Sequence, residues 1–137
     1  MSIGADIAAA LPELRAAAES LMVDSCRIER ATGTTIDPDT LAEVPVYETV
    51  YEGKCRVQRP GSLAPRESVA GGFEFGIDTV EVQAPLSAAG LRKYDRVTMT
   101  DVADTTDPDL LGLVATVRAN LTKTHPTKRT LICEEVA

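Results

Sequence analysis

The first 22 residues carry apolar side chains at spacings of three and four. The apolar positions are Ile3, Ile7, Leu11, Leu14, Ala18, Leu21 and Met22. Because an α-helix turns once in about 3.6 residues, this spacing collects them on one face and predicts a helix over residues 3–22. Pro12 falls inside the segment, so we expect either a kink there or a firm helix that begins there. Many alanines make the apolar face shallow, which suits packing on a sheet and packing on another subunit equally well.

After Val23 the pattern changes to the alternation of apolar and polar residues that is typical of β-strands. Seven candidate strands rich in Val, Ile, Thr and Tyr follow, at residues 25–31, 46–51, 54–59, 73–83, 96–101, 112–119 and 128–136. Turn signals lie between them at residues 32–34, 37–39, 52–53, 107–109 and 125–126. A single sheet of this size would leave one face and two edges uncovered. The sequence therefore predicts a mainly β fold, a small barrel or sandwich of about seven strands over residues 23–137, with one N-terminal α-helix over residues 1–22.

Length and charge narrow the function classes. The chain has 137 residues, enough for one globular domain with a buried core. Its 21 acidic and 14 basic side chains give a net charge of −7 and an isoelectric point near 4.7, so we do not expect a protein that binds DNA phosphates over its whole surface. No stretch approaches the roughly 20 apolar residues of a membrane span, and no basic region precedes the first apolar residues. We therefore expect neither a membrane anchor nor a signal peptide.

The sequence contains no pattern that indicates catalysis or metal binding. The cysteines Cys26, Cys55 and Cys133 lie far apart without a CxxC or Cys/His spacing, and we predict buried free thiols in a reducing cytosol. His125 lies in a predicted turn, and no GxSxG or HExxH motif supplies a partner for it. The acidic stretch 101–109 lacks the glycine and the closing glutamate of an EF-hand loop, which favours a solvated turn. We expect no enzyme activity, no cofactor and no metal; a β-barrel that binds a small ligand or a metal is the alternative from another class.

Basic residues are concentrated in two segments. Residues 54–72 carry four basic and one acidic side chain, and residues 118–129 carry four basic and no acidic side chains, which leaves −14 on the remainder. Basic residues on strand exteriors are commonly only solvated. Alternatively, a basic edge of one copy meets an acidic face of the next, which is the polarity that a head-to-tail ring needs. Residues 60–72 also form a Pro/Gly/Ser-rich loop, longer than an ordinary hairpin connection and of a length typical of functional loops.

A resemblance to a known family covers nearly the whole chain. After the Ala/Leu-rich helix come the run MVDSCRI at residues 22–28, an Asp-Pro-Asp turn, and VYETVYEGKCRV at residues 46–57. The later segments YDRV at 94–97, DPDLLG at 107–112 and THPTKR at 124–129 fit the same pattern. With these segments the chain resembles the head-to-tail stopper, or head-closure, proteins of long-tailed phages, especially phages that infect actinobacteria.

The resemblance implies a non-enzymatic β-barrel subunit of the virion neck, which passes through the host cytoplasm during assembly. Such subunits form a homo-oligomeric ring, expected to be a hexamer, between a head–tail adaptor ring above and the tail terminator or tail tube below. The ring retains packaged DNA and offers a docking face to the tail. Six copies would carry a charge of −42, and an acidic lumen repels the duplex, so DNA would pass without sticking. A tail terminator or another connector ring is the alternative within the virion.

Two sets of residues follow as candidates from this resemblance. Loop 60–72 is a candidate gate that narrows the channel, or else contacts a neighbouring ring; its proposed hinge and DNA-contact residues are Arg59, Gly61, Arg66, Gly71 and Gly72. Candidate subunit-interface residues are Leu11, Leu14, Leu21, Arg118, Lys123, Lys128 and Arg129. For the helix, two roles stay open: it caps the open end of the barrel and buries its leucines, or it reaches out to the adaptor ring.

Overall fold

The computed structural model describes residues 2–59 and 79–136. Helix α1 spans Ile3–Ser20. It begins after Ser2, whose hydroxyl accepts a hydrogen bond from the Ala5 backbone N–H at 3.2 Å and so caps the first turn. The predicted N-terminal helix is confirmed, and it runs through Pro12 instead of beginning there. No helix in this part of the chain is long and apolar enough to cross a membrane.

Six antiparallel strands of the described residues form a closed barrel. The strands are β1 Asp24–Ile36, β2 Glu43–Gln58, β3 Thr79–Ala84, β4 Arg96–Asp101, β5 Val114–Asn120 and β6 Arg129–Glu135. Their order around the barrel is β1-β2-β3-β6-β5-β4, and the pairing of β4 with β1 closes the ring. The predicted mainly β fold with one N-terminal helix is thereby confirmed. Of the predicted strand 73–83, residues 73–78 lie outside the described residues.

Two predicted strands are one, because the expected turn at Glu52-Gly53 does not exist. Residues 46–51 and 54–58 all belong to β2, and Gly53 pairs in register with Cys26 of β1. A side chain at Gly53 would lie 2.9 Å from the hydroxyl oxygen of Tyr51, which donates a hydrogen bond to the Lys54 carbonyl at 2.6 Å. The glycine therefore makes room for an aromatic ring on the same strand face, and it does not mark a chain reversal.

The prediction of a turn at residues 32–34 is also wrong. Strand β1 continues through these residues, which makes the hairpin of β1 and β2 longer than expected. Thr32 lies at a bulge within β1, and the chain reverses only at residues 37–42. Strand β1 pairs with β4 over residues 25–29, whereas its pairing with β2 continues to Ile36. The seven residues beyond Glu29 extend the hairpin by about 20 Å at roughly 3.3 Å per residue. We call residues 31–48 of this two-stranded hairpin the arm.

The core fills the barrel interior with apolar side chains from every strand. The fully buried ones include Ile28, Val80, Val82, Val97, Met99, Val117 and Leu131, each at most 1% exposed. In β4 and β5 the buried residues alternate with half-buried ones, as β-periodicity requires, whereas in β3 every residue except Glu81 is buried. Side chains that occupy the interior in this way make the barrel a solid support.

The strand registers define two ends of the barrel. At the arm end lie the close of β3 at Ala84, the start of β6 at Arg129 and the loops of residues 85–95 and 121–128. At the opposite end lies the acidic loop 101–109, which Asp24 fixes. The buried Asp24 carboxylate accepts hydrogen bonds from the Ala103 N–H at 2.9 Å and the Thr106 hydroxyl at 2.6 Å. The predicted turn at residues 107–109 is the start of a short 3-10 helix, Pro108–Leu110.

Candidate functional site

The three cysteines belong to the core and supply no reactive thiol. Cys26, Cys55 and Cys133 are free and each at most 1% exposed, as predicted. A hydrogen bond with Cys26, together with burial, raises the pKa of Cys55 far above its ordinary value. Burial raises the pKa of Cys133 to about 12. Since the thiolate is the nucleophile and the metal ligand, thiols held protonated in this way are inert near neutral pH.

The acidic and imidazole side chains of the described residues form no cluster that could hold a metal ion. No three His, Cys, Asp or Glu residues in residues 2–59 and 79–136 come together in a geometry that holds an ion. His125 is exposed in the loop between β5 and β6. The neighbouring Glu134 and Glu135 form ion pairs with Arg118 and Arg59 respectively. Each carboxylate is therefore occupied by its own cation.

A surface cleft of about 320 Å³ lies at the end of the barrel opposite the arm. Val57, Leu110 and Leu113 form its apolar lining, and Arg59 and Glu135, 3.1 Å apart, lie in its wall. Arg59 is the last described residue before residue 79. The cleft therefore includes the residue that precedes loop 60–72 in the sequence.

The structure describes one of the five predicted gate residues, Arg59, together with the basic interface candidates. Arg59 lies in the cleft wall; Gly61, Arg66, Gly71, Gly72 and the whole of loop 60–72 lie outside the described residues. Among the interface candidates, Arg118 on β5 forms an ion pair with Glu134 on β6. The Nε of Arg129 donates a hydrogen bond to the Leu86 carbonyl at 3.2 Å. Lys123 and Lys128 lie in the loop that joins β5 to β6. The basic candidates thus belong to the arm half of the barrel.

Helix α1 contacts the barrel along one line and leaves a margin of its apolar face exposed. Arg15 donates from Nε to the Pro126 carbonyl at 3.1 Å, and Glu19 pairs with Lys54 at 3.3 Å. Leu11 lies near that line and is half-buried. Leu14 is 52% and Leu21 53% exposed, so the expectation that a capping helix buries all three leucines is wrong. The physical reason is angular: positions 14 and 21 lie about 60° and about 80° around the helix from position 11, on the side away from positions 15 and 19.

The arm is a functional candidate that the sequence analysis missed. Each of its four large aliphatic side chains is substantially exposed: Ile36 62%, Leu41 78%, Val44 36% and Val46 41%. The arm also carries four acidic side chains, Asp37, Asp39, Glu43 and Glu48, and no basic one. The signal in the sequence is the alternation in Val44-Pro45-Val46 together with the β-branched run Thr34-Thr35-Ile36, which pairs with residues 43–45. The sequence alone does not show that no third strand of the described residues pairs with the arm.

A buried ion pair fixes the base of the arm. The Asp95 carboxylate is 2% exposed and accepts two hydrogen bonds from Arg30, from Nε at 3.0 Å and Nη2 at 2.9 Å. It accepts a third from the Arg92 backbone N–H at 2.8 Å. The hydrogen bond with Asp95 raises the pKa of Arg30, so this guanidinium stays charged. Bidentate charge-assisted geometry of this kind is directional and sets how the hairpin leaves the barrel.

A second contact supports the arm from the barrel exterior. The Arg96 guanidinium carbon lies 3.7 Å from the centre of the Tyr47 ring, and its Nη2 lies 3.3 Å from a carboxylate oxygen of Glu29. The Arg96 guanidinium thus stacks on the face of the Tyr47 ring and at the same time forms an ion pair with Glu29. Together with the Arg30–Asp95 pair, this contact holds the arm from both faces at its base.

Loop 85–95 joins the base of the arm to the basic side of the molecule. Its carbonyl groups accept hydrogen bonds from three elements: Leu86 from Arg129, Gly90 from Arg30, and Leu91 from Asn120. This loop and loop 121–128 carry four cations, Arg92, Lys93, Lys123 and Lys128; their one acid, Asp95, is buried. We call these two loops the basic rim.

Comparison with known proteins places the chain in a family and identifies a similar fold. Residues 14–134 match the model of a family of unknown function, DUF6093, and the chain belongs to that family. No curated protein matches it. The solution structure of protein SF1141 from Shigella flexneri 2a is similar with a TM-score of 0.57 and 22% sequence identity, over 83% of this chain and 92% of that one. At this identity the similarity shows the fold.

Proposed function

We propose that this member of a family of unknown function is a structural protein of a phage neck, a head-to-tail stopper that forms a ring, retains packaged DNA and receives the tail. The starting point is the resemblance of its sequence segments to stopper proteins. The observation that supports the proposal is the distribution of surfaces around a solid barrel. An acidic arm, a basic rim and an exposed helix margin all lie on the outside, whereas the described interior is filled by apolar side chains. Such a molecule is suited to contact with other proteins.

The charge of the chain supports the expected passage of DNA. Each copy carries −7, and two of the basic residues outside the rim, Arg59 and Arg118, are paired with carboxylates. A ring of such subunits presents an excess of negative charge to the duplex, and its lumen would repel DNA phosphates. The gate assigned to residues 60–72 stays a prediction from the sequence.

The exposed helix margin supports contact with a neighbouring ring. Leu14 and Leu21 are each about half exposed, and Ile3 is 78% exposed on the same side. An amphipathic helix with an uncovered apolar margin is suited to lie in a groove of a partner protein. The proposed partner of this margin is the head–tail adaptor ring.

The location of the protein is tested by separating virus particles from their parts. In lysates of a phage whose genome carries this gene, the chain should copurify with filled heads, and cryo-electron microscopy should find its barrel in the neck. Deleting the gene should yield heads that lose their DNA and tails that stay unattached. Copurification with isolated tails would instead identify a tail terminator. Absence of the chain from heads and tails alike would refute the proposal.

The role of the helix is tested with matched leucine substitutions. Replacing Leu14 and Leu21 by lysine should leave the barrel folded but abolish neck assembly, because both side chains are exposed. Replacing the half-buried Leu11 is the control and should lower the melting temperature. If the double variant assembles normally, the helix margin is not the adaptor contact.

Two further measurements address the gate and the ligand-binding alternative. Deleting residues 62–70 should release DNA from particles that still join tails; unchanged DNA retention with normal tail joining would refute the gate.

A thermal-shift screen with calcium, zinc and nucleotides should show no stabilisation, whereas a reproducible shift would favour the ligand-binding barrel.

A further inference from the structure

The arm extends from the barrel without a core of its own. Beyond Glu29, no strand of the described residues pairs with the outer edge of β1, and β2 pairs with β3 only at residues 56–58. An isolated two-stranded hairpin is marginally stable in water, and this one exposes Ile36, Leu41, Val44 and Val46. Its base is nevertheless fixed by the Arg30–Asp95 pair. A rigidly anchored hairpin with uncovered apolar side chains is suited to binding a protein surface.

The basic rim has the charge that the arm requires of a partner. The arm carries four acids and no base, and the rim carries four cations, with its single acid buried under Arg30. Within residues 2–59 and 79–136, no ion pair joins an arm carboxylate to a rim cation. The complementary charges of one copy therefore do not engage each other within that copy.

The rim also offers apolar anchors next to its cations. Tyr94 is 73% exposed and Leu121 is 50% exposed. Tyr94 has a φ of 75°, a conformation that side-chain-bearing residues rarely adopt, and its N–H donates to the Val117 carbonyl at 2.8 Å. The backbone thus holds a large aromatic side chain in the solvent at some conformational cost. Tyrosine is among the residues enriched in binding hot spots, and strained backbone positions cluster at functional sites.

From these observations we infer that the arm of one copy docks on the basic rim of a second copy, with its acids facing Lys93, Lys123 and Lys128 and its aliphatic tip contacting Tyr94 and Leu121. The inference rests on the self-assembly contained in the proposed function, and it names the two surfaces that make the contact. Because arm and rim are different surfaces, the contact is directional and can repeat around a ring or be exchanged in a two-fold pair.

Charge reversal with rescue tests the pairing. Asp39→Lys with Glu43→Lys inverts two exposed arm acids, and self-association measured by sedimentation should weaken about tenfold. Mixing this variant with a chain carrying Lys123→Glu and Lys128→Glu should restore association between the two. Asp104→Lys with Asp109→Lys is the control, because it makes the same change of charge at the opposite end of the barrel. Association of the wild-type chain should also weaken as salt rises.

Cross-linking tests the geometry in the same solution. A chain with Leu41→Cys and Lys123→Cys should form covalent dimers and higher ladders with a bismaleimide, and a chain with Leu41→Cys and Thr105→Cys should not. The native cysteines do not interfere, since each is at most 1% exposed. Circular dichroism of each variant establishes that the barrel is folded.

The outcomes separate this inference from the proposed function. A wild-type chain that stays monomeric at about 1 mM in low salt would overturn the inference, as would arm variants that associate like the wild type. Rings in which the variant with Leu41→Cys and Lys123→Cys forms no covalent link between copies would also overturn the inference. They would leave the proposal of a neck ring standing. Conversely, a confirmed arm–rim contact in a chain that is absent from virus particles would refute the neck assignment alone.

Discussion

A single substitution, Asp95→Ala, removes all three hydrogen bonds that fix the base of the arm. The carboxylate accepts two bonds from Arg30, at 3.0 and 2.9 Å, and one from the Arg92 N–H at 2.8 Å. It is 2% exposed, whereas the Arg30 side chain is 26% exposed. After the substitution the guanidinium can turn toward water, but the Arg92 N–H and the vacated space remain. The arm then leaves the barrel without its directional contact.

The size of the effect follows from this asymmetry of burial. Breaking a fully buried ion pair costs about 3–5 kcal/mol, and the partial exposure of Arg30 reduces this to about 2–3 kcal/mol for Asp95→Ala. Arg30→Ala should cost at least as much, about 3 kcal/mol, because the carboxylate it abandons cannot reach water. The double variant should lose little more than either single one. The coupling energy between the two residues should therefore be about 2 kcal/mol.

Urea denaturation of the four proteins in this cycle measures the coupling, and melting temperatures give an independent reading of roughly 3 °C per kcal/mol for a domain of this size. The matched control is Arg118→Ala, which breaks the pair with Glu134 in which both side chains are 49% exposed; it should cost under about 0.5 kcal/mol. A coupling energy below about 0.5 kcal/mol, or equal losses for the Asp95 and Arg118 variants, would show that the buried pair does not anchor the arm.

Three further changes have signs set by the structure. Gly53→Ala should destabilise the protein by about 1–2 kcal/mol in urea titrations because the new Cβ displaces the Tyr51 ring. The control Gly33→Ala places its Cβ in open space and should be neutral or slightly stabilising. Equal effects of the two substitutions would contradict this account. Asp24→Ala should cost about 2 kcal/mol and increase amide exchange in the acidic loop; unchanged exchange would contradict its anchoring role. Burial raises the pKa of Cys133 from 9.0 to about 12 and that of Cys55 above its ordinary value, so the contribution of these two thiols to stability should be constant below about pH 9 and fall above it by about 1.4 kcal/mol per pH unit for each thiol, and Cys133→Ala should remove one of the two shares of that slope.

The elements that depend on local periodicity were predictable from the sequence. The spacing of Ile7, Leu11 and Ala18 predicts α1, and alternation predicts β4 at its observed bounds, Arg96–Asp101. These patterns depend on residues a few positions apart, which is the range over which a helix or a strand repeats. The same alternation predicts that Cys26 and Ile28 share one face of β1, and both lie in the core.

The wrong strand boundaries arise at glycines, because a glycine in a sequence has two possible physical causes. Gly53 was interpreted as a turn residue, but a strand glycine also occurs where an aromatic ring needs its space, and Tyr51 lies two residues away. Gly33 was interpreted in the same way, although it continues β1 and pairs with Val46. Only the register with the neighbouring strand distinguishes these cases. Local composition therefore overestimated the number of strands and left the arm unrecognised.

The candidate site could be predicted only in part because its charges come together through the tertiary fold. The sequence shows a basic segment at residues 118–129, but Arg118 is paired within the barrel and Arg129 donates to a loop carbonyl. The rim gains its other cations, Arg92 and Lys93, from a loop that carries no marked charge in the sequence because Asp95 follows them. Burial of that aspartate under Arg30 removes the acid from the surface and joins it to the base of the acidic arm. One buried ion pair thus creates the contrast of charge on which the proposed contact between copies depends, and it does so with residues 65 positions apart.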